Sequence, residues 1–96
     1  MKLIQNAQAG TLESSDVMIV IKTVAEGSGR DIQLDSSVSL QYGESINADV
    51  NSVLDAYEIQ DVKMLVTDKG ALSPVIKARV ETAIKRSLGI QEGTLI

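Results

Sequence analysis

Cysteine and histidine are both absent from this chain of 96 residues. The absence of cysteine excludes a disulfide framework and a cysteine-based zinc site. The chain itself therefore supplies neither a thiol nor an imidazole, and no cluster of metal ligands and no phosphate-binding loop appears in the sequence. The sequence predicts no catalytic residue and no metal site, and an independent enzyme is the least favoured class of function.

Aromatic residues and positive charge are also scarce. Two Tyr are the only aromatic side chains and the formal net charge is −4, so the chain lacks the stacking platforms and the cationic surface that nucleic-acid binding needs. No apolar run approaches the length of a membrane span, and the first residues do not form a signal peptide. We expect a cytoplasmic protein that binds neither nucleic acid nor membrane.

The chain does contain enough aliphatic sequence for one folded unit. The hydrophobic fraction of 44% is typical of a globular domain, and the length suits one domain, 1–96, rather than two. The tail from about residue 90 is expected to be frayed.

Four apolar runs predict strands. Residues 16–24 are rich in β-branched side chains, and residues 31–38 alternate, with Ile32, Leu34 and Val38 on one side. The nearly continuous apolar character of residues 16–24 indicates a strand that is covered on much of both faces, or one covered by a partner. The four predicted strands are 3–11, 16–24, 31–38 and 61–67.

Two other segments have helical periodicity. From about residue 40, six side chains fall within one arc at about 100° per residue; they are Tyr42, Ile46, Val50, Val53, Leu54 and Tyr57. A second predicted helix runs to about Leu88, with Pro74 in its first turn and Ser73 as its N-cap.

The predicted order of elements is β-β-β-α-β-α. A hairpin joins the first two strands, and the first helix crosses over between the third and fourth strands. Each helix has one apolar face to bury. The economical arrangement is an α+β two-layer sandwich, in which both helices cover one face of a four-stranded mixed sheet.

A polar segment from Thr11 to Asp16 falls at the turn between the first two strands. It contains two adjacent hydroxyl groups, those of Ser14 and Ser15, on a turn that leaves room for a bulky group. Local chemistry alone favours an ordinary turn and does not distinguish the two serines. Because the chain has no thiol, thioester chemistry would need a thiol attached from outside, and an exposed hydroxyl is a suitable anchor.

The chain resembles the acyl carrier proteins (gamma chains) of citrate lyase over nearly its whole length. The segments that carry the resemblance occur in the order found in that family: Ala9 to Ser14 with Asp16-Val17-Met18, Tyr42 to Ile46, Asp68 to Leu72, and Ala78-Arg79-Val80. In that family, the serine that matches Ser14 carries 2'-(5''-phosphoribosyl)-3'-dephospho-CoA through a phosphodiester. The resemblance therefore implies that Ser14 is the cofactor-binding residue.

The resemblance also implies what the carrier does. The thiol of the arm would hold acetyl and citryl thioesters while citrate is cleaved to acetate and oxaloacetate, and the chain itself would be non-catalytic. The implied partners are the citrate lyase alpha and beta subunits, the prosthetic-group transferase and the acetylating ligase.

Charged residues near this segment leave alternatives open. Glu13 and Asp16 either present an acidic face to the transferase or simply solvate the turn. Arg79 falls on the apolar arc of the second helix, where an unpaired charge would be costly. We favour a snorkelling side chain or a pairing with an acid such as Asp49 over the alternative that Arg79 and Arg86 bind phosphates of the arm.

A competing interpretation concerns the whole chain. It could be a small protein-interaction module without a covalent group, which would need only the α+β fold and the apolar strand at 17–21.

Overall fold

The computed structural model describes residues 2–36 and 39–89 and has the predicted order of elements. The α+β fold class with four strands and two helices is confirmed. The expectations for Val38 and for the tail from residue 90 lie outside the described residues. The elements are β1 Ala7–Gly10, β2 Val17–Lys22, β3 Arg30–Ser36, α1 Ser39–Ala56, β4 Val62–Asp68 and α2 Ser73–Ser87.

The four strands form one mixed sheet in the order β1-β2-β4-β3. Strand β2 is antiparallel to both β1 and β4, whereas β3 is parallel to β4. This is the pairing expected of a hairpin followed by a helical crossover. The register pairs Gly10 with Met18, and it pairs both Val17 and Ser36 with Asp68.

This register brings several loops to one end of the sheet. Strands β1, β3 and β4 finish there and β2 begins there, so segments 11–16 and 69–72 lie together with the first turns of α1 and α2. We call this the Ser14 end of the molecule.

The helices cover one face of the sheet. Along β2, Val17, Ile19 and Ile21 are fully buried, while Met18 and Val20 on the opposite face are only half-buried. Helix α2 packs against β1 and β2, α1 packs against β3, and the two helices pack against each other. The prediction of two layers is therefore confirmed, and within the described residues the helices of this chain cover β2 on a single face.

Two details of the predicted elements are wrong. The first strand begins at Ala7 rather than at residue 3; Leu3 is nevertheless buried, because the amides of Ile4 and Gln5 donate to the carbonyl of Ser87 at 3.0 and 3.2 Å and hold this segment beside α2. Tyr42, predicted on the buried arc of the first helix, lies near the start of α1 and is 57% exposed.

The predicted N-cap of the second helix is also wrong. Leu72 occupies the N-cap position with an extended backbone, and no side chain caps the helix. Ser73 lies one position later, and its hydroxyl donates to Asp49 Oδ2 at 2.6 Å. Because Asp49 belongs to α1, this hydrogen bond joins the two helices instead of capping one of them. Among the described residues, neither helix is long and apolar enough to cross a membrane.

Candidate functional site

Residues 13–16 form a tight turn between β1 and β2. The amide of Asp16 donates to the carbonyl of Glu13 (N···O 3.1 Å), so Ser14 and Ser15 take the two central positions. Ser15 has a φ of 66°, in the left-handed region that non-glycine residues seldom occupy. Both serine side chains are exposed. Exposure alone therefore does not distinguish one hydroxyl from the other as an attachment point.

The turn is fixed on one side by the loop that follows β4. The amide of Ser15 donates to the carbonyl of Lys69 at 2.8 Å, and the amide of Lys69 donates to the carbonyl of Asp16 at 2.9 Å. That loop is itself held by Asp68, which is 2% exposed. Asp68 accepts hydrogen bonds from the amide of Ala71 (2.9 Å) and from the hydroxyl of Ser36 (2.8 Å). The backbone beneath Ser14 is thereby tied to β3 and β4.

The turn is fixed on its other side by an ion pair between Asp16 and Arg79. Arg79 Nε donates to Oδ1 at 3.1 Å, and Arg79 Nη2 donates to Oδ2 at 2.9 Å. The same carboxylate accepts from the amide of Val17 at 2.8 Å and from the hydroxyl of Thr11 at 2.5 Å. Four donors in this geometry saturate the two oxygens.

These hydrogen bonds set the acidity of Asp16. The hydrogen bonds from Arg79, then Thr11 and then the Val17 amide lower the pKa of Asp16 to about 2. Because each donor stabilises the charged form, the carboxylate stays ionised at neutral pH. A saturated carboxylate with so low a pKa is a poor general base. Asp16 therefore holds the turn and is not suited to activating Ser14.

Arg79 pairs with an acid, as predicted, but its partner is Asp16 and not Asp49. Asp49 pairs instead with Ser73 and, at 4.0 Å, with Lys77. Arg86 lies two helical turns further along α2, and its Nη1 donates to the carbonyl of Gln8 at 2.8 Å. The structure therefore does not bring Arg79 and Arg86 together into one phosphate-binding site.

A cleft of about 420 Å³ opens at the Ser14 end between the two helices. Its walls come from α1, from the loop after β4 and from the start of α2; they include Tyr42, Ile46, Asp49, Leu72 and Ile76. The cleft adjoins the turn. Gly70 lies in the wall of the cleft, and its neighbour Lys69 is hydrogen-bonded to Ser15 and Asp16 of the turn.

Sequence reasoning missed two supports of the turn. The Lys69 carbonyl left no signal in the sequence, since a main-chain hydrogen-bond partner is not recorded in any side-chain pattern. Thr11 was noted only as part of a polar segment, although it also accepts from the amide of Glu13 at 3.2 Å. A hydroxyl just before an acidic turn is the signal that could have suggested these hydrogen bonds of Thr11.

The sequence of the chain is similar to those of a known protein family. Residues 4–87 match the family model described as ACP, malonate decarboxylase delta subunit (MdcD). The citrate lyase acyl carrier protein of Serratia proteamaculans (strain 568) is 49% identical to this chain, over 91% of this chain and 84% of that protein. The protein of the same name from Edwardsiella ictaluri (strain 93-146) is 45% identical, over 91% of this chain and 88% of its own length.

A solved structure shares the fold. One chain of a Pseudomonas malonate decarboxylase hetero-tetramer, crystallised with malonate, superposes with a TM-score of 0.71 and covers 90% of this chain and 91% of its own. Its sequence identity of 18% limits this likeness to the arrangement of the strands and helices.

Proposed function

The chain belongs to the family of acyl carrier proteins that includes those of citrate lyase, and from this premise we propose that it is the acyl carrier subunit of a citrate lyase, with Ser14 as the attachment site. The arm we propose is phosphoribosyl-dephospho-CoA, joined to the Ser14 Oγ through a phosphodiester. The match to citrate lyase acyl carrier proteins carries the proposal, and it is supported by an exposed Ser14 hydroxyl on a turn whose next residues, Ser15 and Asp16, are held by Lys69 and Arg79.

The geometry suits a tether. The Lys69 backbone holds Ser15 and Asp16, and Arg79 holds the carboxylate of Asp16, so the base of the arm would be rigid while the arm itself is free. A thioester on such an arm can visit two active sites without dissociating, and each encounter then takes place at high effective concentration. The chain contributes position, and the arm contributes the thiol that the chain lacks.

The chemical steps belong to partners. The acetyl thioester would exchange with citrate to give a citryl thioester and acetate, and the citryl thioester would then split into oxaloacetate and the acetyl form. The alpha and beta subunits would carry out these steps in the cytoplasm, after a transferase installs the arm and a ligase acetylates its thiol. The carrier itself would be non-catalytic.

Mass spectrometry tests the site. The protein is produced together with the enzymes that make and attach the arm, and its intact mass is compared with that of protein produced alone. Trypsin cleavage after Lys2 and Lys22 releases residues 3–22, a peptide in which Thr11, Ser14 and Ser15 are the only hydroxyl side chains. Fragmentation of this peptide locates the added group.

Matched variants sharpen the result. We expect the added mass on Ser14, its loss in Ser14→Ala and its retention in Ser15→Ala. The same mass on Ser15 would keep the carrier function and correct the residue. No added mass, under conditions in which a relative from this family is modified, would refute the carrier function and favour an interaction module without a covalent group.

A further inference from the structure

The Ser14 hydroxyl has two acidic neighbours in the sequence, Glu13 and Asp16. Attachment of the arm requires the Ser14 Oγ to attack the phosphorus of an arm donor that is a phosphoanhydride. The Oγ–P bond forms, the P–O bond to the departing phosphate or diphosphate breaks, and the hydroxyl proton must pass to a base. Asp16 accepts four hydrogen bonds and cannot readily take this proton. The proton therefore passes to Glu13, which is exposed beside Ser14, or to a base of the enzyme that installs the arm, and in either case that enzyme brings the donor to Ser14.

This requirement fixes where that enzyme must bind. To place the donor's phosphorus within bonding distance of Ser14 Oγ, the enzyme has to cover the surface immediately around the turn. The catalytic subunits meet the acyl group at the far end of the arm and have no such constraint. We therefore assign exposed apolar side chains at the Ser14 end to contact with the arm-installing enzyme.

Such side chains are present. Four large hydrophobic side chains of the described residues are exposed, and three of them lie at the Ser14 end: Leu12 at 58%, Tyr42 at 57% and Leu72 at 74%. We call these three the apolar rim. Tyr42 and Leu72 are on the walls of the 420 Å³ cleft. The fourth exposed residue, Ile4, lies at the opposite end, where its amide bonds the carbonyl of Ser87.

Charged side chains border the apolar rim. Glu13 beside Ser14 and Glu44 beside Tyr42 are exposed, and Asp49 forms part of the cleft wall. Lys69 and Lys77 are exposed at the same end, and Lys77 lies 4.0 Å from Asp49, so the border of the rim carries charges of both signs. An apolar centre with a charged, solvent-accessible border is typical of a protein-docking surface.

We propose that the apolar rim of Leu12, Tyr42 and Leu72 is the docking surface for the enzyme that attaches the arm to Ser14. This inference rests on the proposed function, since it assumes that Ser14 is modified. Leu72 is the best single residue to test, because it is the most exposed of the three and has no capping role for its side chain.

The test measures arm transfer with purified enzyme and carrier variants. Leu72→Ser removes the apolar side chain and places a capping hydroxyl at the N-cap of α2, so its melting temperature should equal or exceed that of the wild type. We expect the KM for the carrier to rise about tenfold, as for the loss of an interface anchor, with kcat little changed. Leu12→Ser is the second variant, and Ile4→Ser is the control with similar exposure at the opposite end.

Each outcome has a distinct meaning. A KM for Leu72→Ser and Leu12→Ser no higher than that for Ile4→Ser would overturn the docking surface. So would normal arm transfer combined with a loss of turnover once the fully modified variants are assembled with the catalytic subunits, since that would assign the rim to those subunits. If the wild type takes up no arm at either serine, it is the proposed function that fails; an arm on Ser15 would correct the attachment residue and leave the apolar rim to be tested in the same way.

Discussion

Replacing Gly10 with alanine should displace the end of β1 and, with it, the turn that carries Ser14. Gly10 has a φ of +96°, and a Cβ built on it would lie 1.8 Å from the carbonyl oxygen of Val17, where ordinary contacts are 3.4–4 Å. The obstacle is backbone on the neighbouring strand, so a side-chain rotation cannot relieve it. The two strands must separate where they enter the turn.

The magnitude follows from two costs. A left-handed φ costs an L-residue about 1–2 kcal/mol, partly offset by the lower entropy of the unfolded alanine chain. Crowding of this kind costs about 1–3 kcal/mol, and more when the backbone is the obstacle. We expect a net loss of about 2–4 kcal/mol. At about 4–8 °C per kcal/mol, this lowers the melting temperature by about 10–30 °C.

Urea and thermal unfolding, followed by circular dichroism, measure this loss. Gly27→Ala is the matched control, because Gly27 has a similar φ of +88° with nothing within 4 Å of the added Cβ. The control isolates the cost of the φ angle, and the difference between the variants isolates the collision. A Gly10→Ala variant as stable as Gly27→Ala would refute the close approach of the two strands.

Three further predictions test the fold and the support of the turn. Ile19→Ala should cost about 2–5 kcal/mol and Val20→Ala markedly less in urea unfolding, because the helices bury only the Ile19 face of β2; equal losses would contradict a single covered face. The pKa of Asp16 is lowered to about 2 in the folded state, against about 3.9 in the unfolded chain, so its carboxylate stabilises the fold above about pH 4. Wild-type stability should therefore fall as the pH drops from about 4 towards 2, and Asp16→Asn should flatten this part of the pH profile. Arg79→Met should lower the melting temperature, and its effect should be strongly non-additive with that of Asp16→Asn in a double-mutant cycle. Additive losses of stability would contradict the ion pair. A ³¹P signal showing that the prosthetic group becomes mobile, without any loss of stability, would likewise favour a direct contact between Arg79 and a phosphate.

The fold was largely predictable because hydrophobic periodicity records which face of an element is buried. The helices and three of the four strands were predicted to within about two residues at each end that the structure describes. The first strand was predicted too long, since Leu3 is as buried as a strand residue. A burial pattern cannot show that the amides beside Leu3 bond the carbonyl of Ser87 on α2 rather than a neighbouring strand.

The attachment residue, Ser14, stays a prediction from resemblance, and the contacts that hold its turn were not predictable from the sequence. The resemblance to a known family indicated Ser14, while the local residues alone indicated only a turn. The partner of Arg79 was out of reach, because Asp16 lies 63 positions away in the sequence. Only the strand register, which pairs Val17 with Asp68, brings the turn beside the start of α2.

This construction explains how an ordinary turn sequence can serve as an anchor. Two adjacent serines followed by an acid would, on a free hairpin, sample many conformations, and a modifying enzyme would have to order the turn before acting on it. Here Lys69 and Arg79, from the loop after β4 and from α2, hold the backbone and the carboxylate of Asp16 in advance. The entropy of ordering is met during folding, so an enzyme that modifies Ser14, as we propose, would meet a hydroxyl that is already presented. On this proposal the suitability of Ser14 depends on residues far from it in sequence, which the local sequence alone does not reveal.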